Sequence, residues 1–298
     1  MKKLLENAAF VFSVAIVLGL VYPEQASVMQ NLIIPALILA MVLSMRPITL
    51  KPRDLRTYAS PILNTLFANY LLLSGLVLIL SFLLIQDPNQ LKGFIIMAAA
   101  PPAVAIVPFT YLLCGDSKIA ILGSAFCYLC SLFLAPLIIL AFLGVAVDPA
   151  YLEWILILLV LFPLIVSRPL ARLNWRVFDY SKAITLLSLA LVTYSVIGLN
   201  QKVLVLDPIS LSPIFLILLV RTFVTGSLVL LLLRKAKVNP VSSITYSLFS
   251  SFKNAGATAA IAIALLGPEA ALPAGVSSIF ELSFFVVLKR LVKKTCPI

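Results

Sequence analysis

Lys253, Arg221 and Glu281 are ionisable side chains set in stretches that otherwise read as lipid-facing. A full charge near a bilayer centre costs at least about 2.5–3.5 kcal/mol, so such residues usually face a bundle interior and hold an ion, a substrate or one another. Snorkelling to an interface is the alternative for Lys253, but its place halfway along residues 241–267 makes that harder. Glu281 is expected to pair with either Lys253 or Arg221, which would offset the burial of both partners. A static pair that locks helices and a proton relay both fit these residue types. One acid against two bases leaves the region positive, which favours an anionic substrate. Asn69, Asn254, Thr110 and Ser124 supply amides and hydroxyls to the same candidate site, and Pro101, Pro102 and Gly256 are expected to shape its backbone.

The rest of the chain is suited to lipid. Of 298 residues, 62% are hydrophobic and 11% charged, more apolar surface than a water-soluble domain of this length could hide, so a polytopic membrane protein is expected. No polar stretch is long enough for a separate soluble domain. Met1-Lys2-Lys3 followed by an apolar run imitates a signal peptide, yet no small-residue cleavage site follows Tyr22-Pro23, and the run reads as a first span. Histidine is absent, which removes the commonest general base and metal ligand. No acidic pair or nucleophile–base constellation falls on one face, so neither an enzyme nor a metal site is expected. The cysteines are Cys114, Cys127, Cys130 and Cys296. Cys127 and Cys130 form a C-x-x-C inside an apolar run, where small polarizable core residues are expected rather than a redox pair.

Ten apolar windows stand near 6–22, 30–47, 60–84, 91–114, 118–143, 151–168, 181–199, 210–233, 241–267 and 271–289. Short connections with turn residues separate them, among them Tyr22-Pro23-Glu24, Asp87-Pro88-Asn89, Asp148-Pro149 and Gly267-Pro268. In lipid each window must be helical, because backbone partners have to be found internally. With ten spans, both termini and loops 2–3, 4–5, 6–7 and 8–9 share one face, and that face holds eighteen of the 22 Lys and Arg residues. Only Lys92 and Lys202 lie in the other loops. This positive-inside bias predicts a multi-pass protein of the cell membrane with both termini cytoplasmic. It also accounts for the net charge of +11: basic loops such as Arg46-Pro47 and Lys51-Pro52-Arg53 meet anionic headgroups, and no nucleic-acid partner is expected.

Ten spans divide into five plus five, residues 1–145 and 146–298 of one membrane domain. An odd number per half makes the repeats inverted. The fourth span of each half is interrupted. Span 4 carries Pro101, Pro102 and Pro108; span 9 carries Lys253-Asn254-Ala255-Gly256. Adjacent prolines divide a helix, and Pro101-Pro102 could start the second half-helix, whereas Pro108 alone reads as a kink. Asn254 can cap a half-helix, and Gly256 permits close approach or an unusual backbone angle. Interruptions at matching positions are the sequence pointer to a midplane binding site.

These residues carry a resemblance. "APPAVAIVPFTYLLCGD" with "LFLAPLIIL", and "FKNAGATAAIAIALLGPEAALPAGVSSIFE", are similar to the fourth and fifth, and the ninth and tenth, spans of the bile acid:sodium symporter family. The resemblance implies an all-α fold of ten transmembrane helices in two inverted five-helix repeats. Spans 1, 2, 6 and 7 would form a panel and spans 3–5 and 8–10 a core, in which discontinuous helices 4 and 9 cross near the midplane. It further implies organic anions carried with sodium. The sodium ligands of that pattern do not carry over. Its Ser-Asn pair after the span 4 break falls on Ile106 and Val107, its acidic ligand on Phe249, its glutamine on Lys253 and a span 5 serine on Ala120. Asn69 stands where the family has another glutamine, and Ser124 retains a hydroxyl nearby.

The expectation is therefore a secondary transporter of a small organic anion working by alternating access without cofactor. Sodium would be dispensable because the Lys253 ammonium takes its place, bonding to freed carbonyls and to Asn69. Lysine also shifts its pKa readily when desolvated, which keeps proton coupling open. The alternatives are a sodium-coupled symporter using oxygens outside this pattern, and a non-transporting sensor or scaffold that reuses the fold.

Overall fold

The computed structural model describes residues 5–46, 52–144, 147–173, 176–207 and 209–292. Met1–Lys3, Pro47, Lys51, the division between residues 145 and 146, Lys293, Lys294 and Cys296 lie outside the described residues. Within them the chain is helical throughout, without a strand. Among the described residues, seven helices are long and apolar enough to cross a membrane: α2 (Pro23–Met45), α3 (Ala59–Leu84), α6 (Ser117–Leu143), α7 (Pro149–Leu170), α8 (Phe178–Leu199), α9 (Ser212–Lys235) and α12 (Pro268–Leu291). Shorter helices include α1 (Ala8–Val21), α4 (Pro88–Ala99), α5 (Ile106–Leu112), α10 (Pro240–Phe249) and α11 (Ala255–Leu266), besides two six-residue helices in connections, Pro52–Thr57 and Gln201–Leu206.

α1, α4, α5, α10 and α11 fall where the sequence places span 1 and the two interrupted spans. Local chemistry sets their ends. α4 follows an Asp87 cap whose carboxylate accepts the Gln90 N–H at 2.8 Å, and α10 follows an Asn239 cap that accepts the Val241 N–H at 2.9 Å. Each then has proline at its first position, where a missing N–H costs nothing and φ is already helical. Asp148-Pro149 starts α7 in the same way. α1 and α2 meet more tightly than their windows imply: only Tyr22 separates them, because Pro23 already begins a 3-10 turn.

Two expectations about the prolines of span 4 need correction. Pro101-Pro102 does not begin the second half-helix. Ala100 is extended (φ −61°, ψ 150°), as a residue before proline prefers, and helix resumes only at Ile106. Pro108 does not kink a helix either. It lies in the first turn of α5, where no backbone bond is lost.

Packing sorts the helices. α8 lies along α1 and α2, and α2 lies against α7. Elsewhere α4 is enclosed by α3, α6, α11 and α12, while α9 packs on α10. α8 also touches α11 and α12, so it joins the two groups. The Asn200 side chain at the end of α8 donates to the Pro268 carbonyl at 3.1 Å. Outward faces are apolar: Leu83, Phe133 and Leu206 are largely exposed, as side chains that contact lipid tails would be. Three spans contain a π-helical stretch: Phe67–Leu73 in α3, Ile157–Leu161 in α7 and Val220–Val224 in α9. Such stretches recur at functional sites, and the first and third hold Asn69 and Arg221.

Candidate functional site

The links between α4 and α5 and between α10 and α11 meet in the protein interior. Pro102 and Lys253 form a single antiparallel bridge, and the Asn254 N–H donates to the Pro101 carbonyl at 2.9 Å. The prolines lack donors; beside the Pro101 carbonyl held by Asn254, the Pro102 carbonyl accepts from the Tyr128 hydroxyl at 3.0 Å.

Lys253 is wholly buried. Its Nζ donates to Asn69 Oδ1 at 3.0 Å, to the Ala98 carbonyl at 3.0 Å and to the Ala100 carbonyl at 2.8 Å. An ammonium has three donors, and all three are used. The Tyr70 ring lies 4.4 Å from Nζ, a cation–π distance. Ala98 and Ala100 are at the C-terminal end of α4, where unsatisfied carbonyls concentrate negative partial charge and a cation is stabilising. Snorkelling is thereby excluded. Asn69 turns its other end to the second broken span: Nδ2 donates to the Phe249 carbonyl at 2.9 Å and the Phe252 carbonyl at 3.1 Å. One amide thus accepts from the ammonium that caps α4 and donates to the carbonyls at and just beyond the C-terminal end of α10.

The second charged centre lies close by, and it resolves the open pairing. Glu281 pairs with Arg221, not with the Lys253 ammonium: Nη2 is 2.7 Å from Oε1. Arg221 also donates to the Ser251 carbonyl at 3.4 Å and to the Ser277 hydroxyl. Ser277 donates to Glu281 Oε1 at 3.2 Å, and the Lys253 contribution is its backbone N–H, to the same oxygen at 3.2 Å. Oε1 therefore takes three donors, and Oε2 takes none among the described residues.

Asn254 caps α11, accepting the Ala257 N–H at 3.0 Å, while its Nδ2 is buried without a partner. Gly256 has no unusual backbone angle among the glycines with positive φ. Its role is close approach: a Cβ there would sit 2.9 Å from Leu37 Cδ1. Lys253, Asn254, Gly256 and Glu281 line a small cleft of about 70 Å³, bounded also by Val104 and Phe109, by Val192 and Thr193 of α8, and by Ser278.

Not every candidate joins this cluster. Thr110 is buried with an unpartnered hydroxyl and packs against Gly115. Ser124 lines a separate, smaller pocket with Ser44, Val104, Val107 and Tyr128. Cys127 and Cys130 are free thiols, with Cys127 in the core near the Thr65 hydroxyl. Two contributors escaped sequence reasoning. Ser277 stands four residues before Glu281, a spacing that puts both on one helix face and could have revealed it. Tyr70 adjoins Asn69, but adjacency on a helix gives no such signal.

Residues 7–284 match the model of the SBF-like CPA transporter family. That span covers nearly all of the chain, which therefore belongs to this family, the bile acid:sodium symporter-like family. No curated protein matches the chain. Family members are transporters and not enzymes, and with its apolar helices the chain is a multi-pass membrane transporter.

Proposed function

We propose that this SBF-like transporter carries a small organic anion by alternating access, and that Lys253 replaces the coupling cation so that transport proceeds without sodium. The observation that carries the reading is the saturated Lys253 ammonium, held by an amide oxygen and two helix-terminal carbonyls, oxygen donors of the kind that would ligate a small cation. Protein side chains lack the oxygens for sodium at Ile106, Val107 and Phe249. The anion would enter the cleft at the N-terminal end of α11, where backbone N–H groups and the helix dipole favour negative charge.

In this proposal the chain has ten spans in two inverted repeats, residues 1–145 and 146–298. α4–α5 and α10–α11 are the discontinuous fourth spans, crossing near the midplane. Both are opened by an Asx-Pro pair and run 12 and 10 residues before they break, and the third helix of each half has its π-helical stretch. The α1, α2, α7 and α8 group would act as the panel and the remainder as the core. Both termini would be cytoplasmic, on the face with eighteen basic residues. Substrate and lipid are the proposed partners, and no cofactor is required.

The test is uptake into proteoliposomes with sodium replaced by choline. Unchanged uptake is expected; strict dependence on sodium would sink the substitution of the cation by Lys253. Binding of organic acids without uptake or counterflow would favour a sensor.

A further inference from the structure

The charges of the site are not equally available to a ligand. Every Lys253 ammonium proton is already committed, and Arg221 faces Glu281, Ser277 and the Ser251 carbonyl. What the cleft offers instead is complementary. On one side stands the N-terminal end of the twelve-residue helix α11, with the buried Asn254 Nδ2 lacking a partner. On the other stands Glu281, 8% exposed and lining the cleft, with Oε1 saturated by three donors and Oε2 by none.

A helix N-terminus with an unpartnered amide N–H suits a carboxylate. A carboxylate oxygen in the same cleft would repel a simple anion and attract a cationic donor. Thr193 and Ser278 add the remaining polar side chains of the wall; the rest is mainly apolar.

We infer that the ligand is a small zwitterion, an amino-acid-like molecule whose carboxylate faces Asn254 and the start of α11 and whose ammonium is received by Glu281 Oε2. This rests on the carboxylate recognition in the reading above and replaces its net anion with a molecule that carries both charges. Glu281 is then a specificity residue, and Ser277, Arg221 and the Lys253 N–H position it by holding Oε1. Excess positive charge, the sequence-based reason to expect a simple anion, is spent on the α4 carbonyls by Lys253 and on Glu281 Oε1 by Arg221.

The test uses full-length protein in detergent and matched acids that differ at one substituent: propionate, lactate and alanine, then hexanoate, 2-hydroxyhexanoate and norleucine. Titrations followed by thermal shift should give the amino member of a set at least tenfold tighter binding than its unsubstituted partner. Glu281→Gln should weaken the amino member at least tenfold and leave the unsubstituted acid unchanged or tighter. Should Glu281→Gln fail to fold for want of a partner to Arg221, the double variant Arg221→Gln, Glu281→Gln provides the same comparison. Asn254→Asp keeps the cap but converts the free donor into an acceptor, and should weaken every member of a set about tenfold. Unsubstituted acids binding as well as amino acids, or an amino preference that survives loss of the Glu281 charge, would overturn the inference while leaving an anion carrier intact. So would a Glu281 effect seen only with sodium present, which would assign Oε2 to an inorganic cation. Failure of every carboxylate to bind would instead remove the organic-anion reading itself.

Discussion

Lys253 and Arg221 are both fully buried cations a short distance apart, yet they are neutralised in different ways. Lys253 has no acid beside it; its partners are an amide oxygen and the carbonyl dipoles at the end of α4. Arg221 has a full countercharge in Glu281. The first shell is closed, since each ammonium proton has an acceptor. The second is open, because Arg221 Nε and one Glu281 oxygen remain without partners among the described residues. A closed shell suits a fixed part of the framework, and an open shell suits a group that answers to a ligand.

The contrast can be broken by substitution. The largest effect is expected from Glu281→Ala, which strands the Arg221 guanidinium in the interior. Losing one member of a buried pair costs about 3–5 kcal/mol, so the melting temperature in detergent should collapse or the protein should not accumulate. Pairing it with Arg221→Met should recover most of that loss, because removing both charges removes the stranded one. Lys253→Met comes next. It leaves two carbonyls and Asn69 Oδ1 without donors, for a cost of about 2–3 kcal/mol, and Lys253→Gln should lose less while gaining a sodium-dependent thermal shift absent from the wild type. If Lys253→Met melts no lower than wild type, the closed shell is not a structural element and the contrast fails.

Smaller effects sharpen the picture. Asn69→Leu releases the carbonyls of Phe249 and Phe252 together with the ammonium, and about 2 kcal/mol is expected from denaturation in detergent. Ser277→Ala removes one donor of several to Glu281 Oε1, and about 1 kcal/mol is expected. A Ser277→Ala loss as large as that of Glu281→Ala would mean that the hydroxyl, not the ion pair, holds this centre together.

Much of this was legible from residue types. The apolar windows anticipate the long helices, and Pro101, Pro102, Lys253 and Asn254 mark both interruptions, since proline and a capping asparagine act on the backbone next to them. What reads poorly is whatever depends on where distant backbone ends up. Pro101-Pro102 suggests a helix start, but the bridge to Lys253 holds that stretch extended and defers α5 to Ile106. The partner of Glu281 could not be chosen between Lys253 and Arg221, because both lie within reach in sequence terms. Tertiary geometry decides it, giving Lys253 to the α4 carbonyls and Glu281 to Arg221. Thr110 and Ser124 have suitable hydroxyls at suitable depth, yet they face other neighbours.

The π-helical stretch around Asn69 has a consequence for how this protein can change. A π turn holds one residue more than an α turn, so the two ends of α3 are out of phase by about 100°. Deleting a single residue within Phe67–Leu73 would restore an ordinary helix and swing Asn69 away from Lys253, Phe249 and Phe252, with every other side chain intact. The polar centre is therefore exposed to a kind of lesion that substitution scanning never samples: loss through a one-codon deletion far from either charge in sequence.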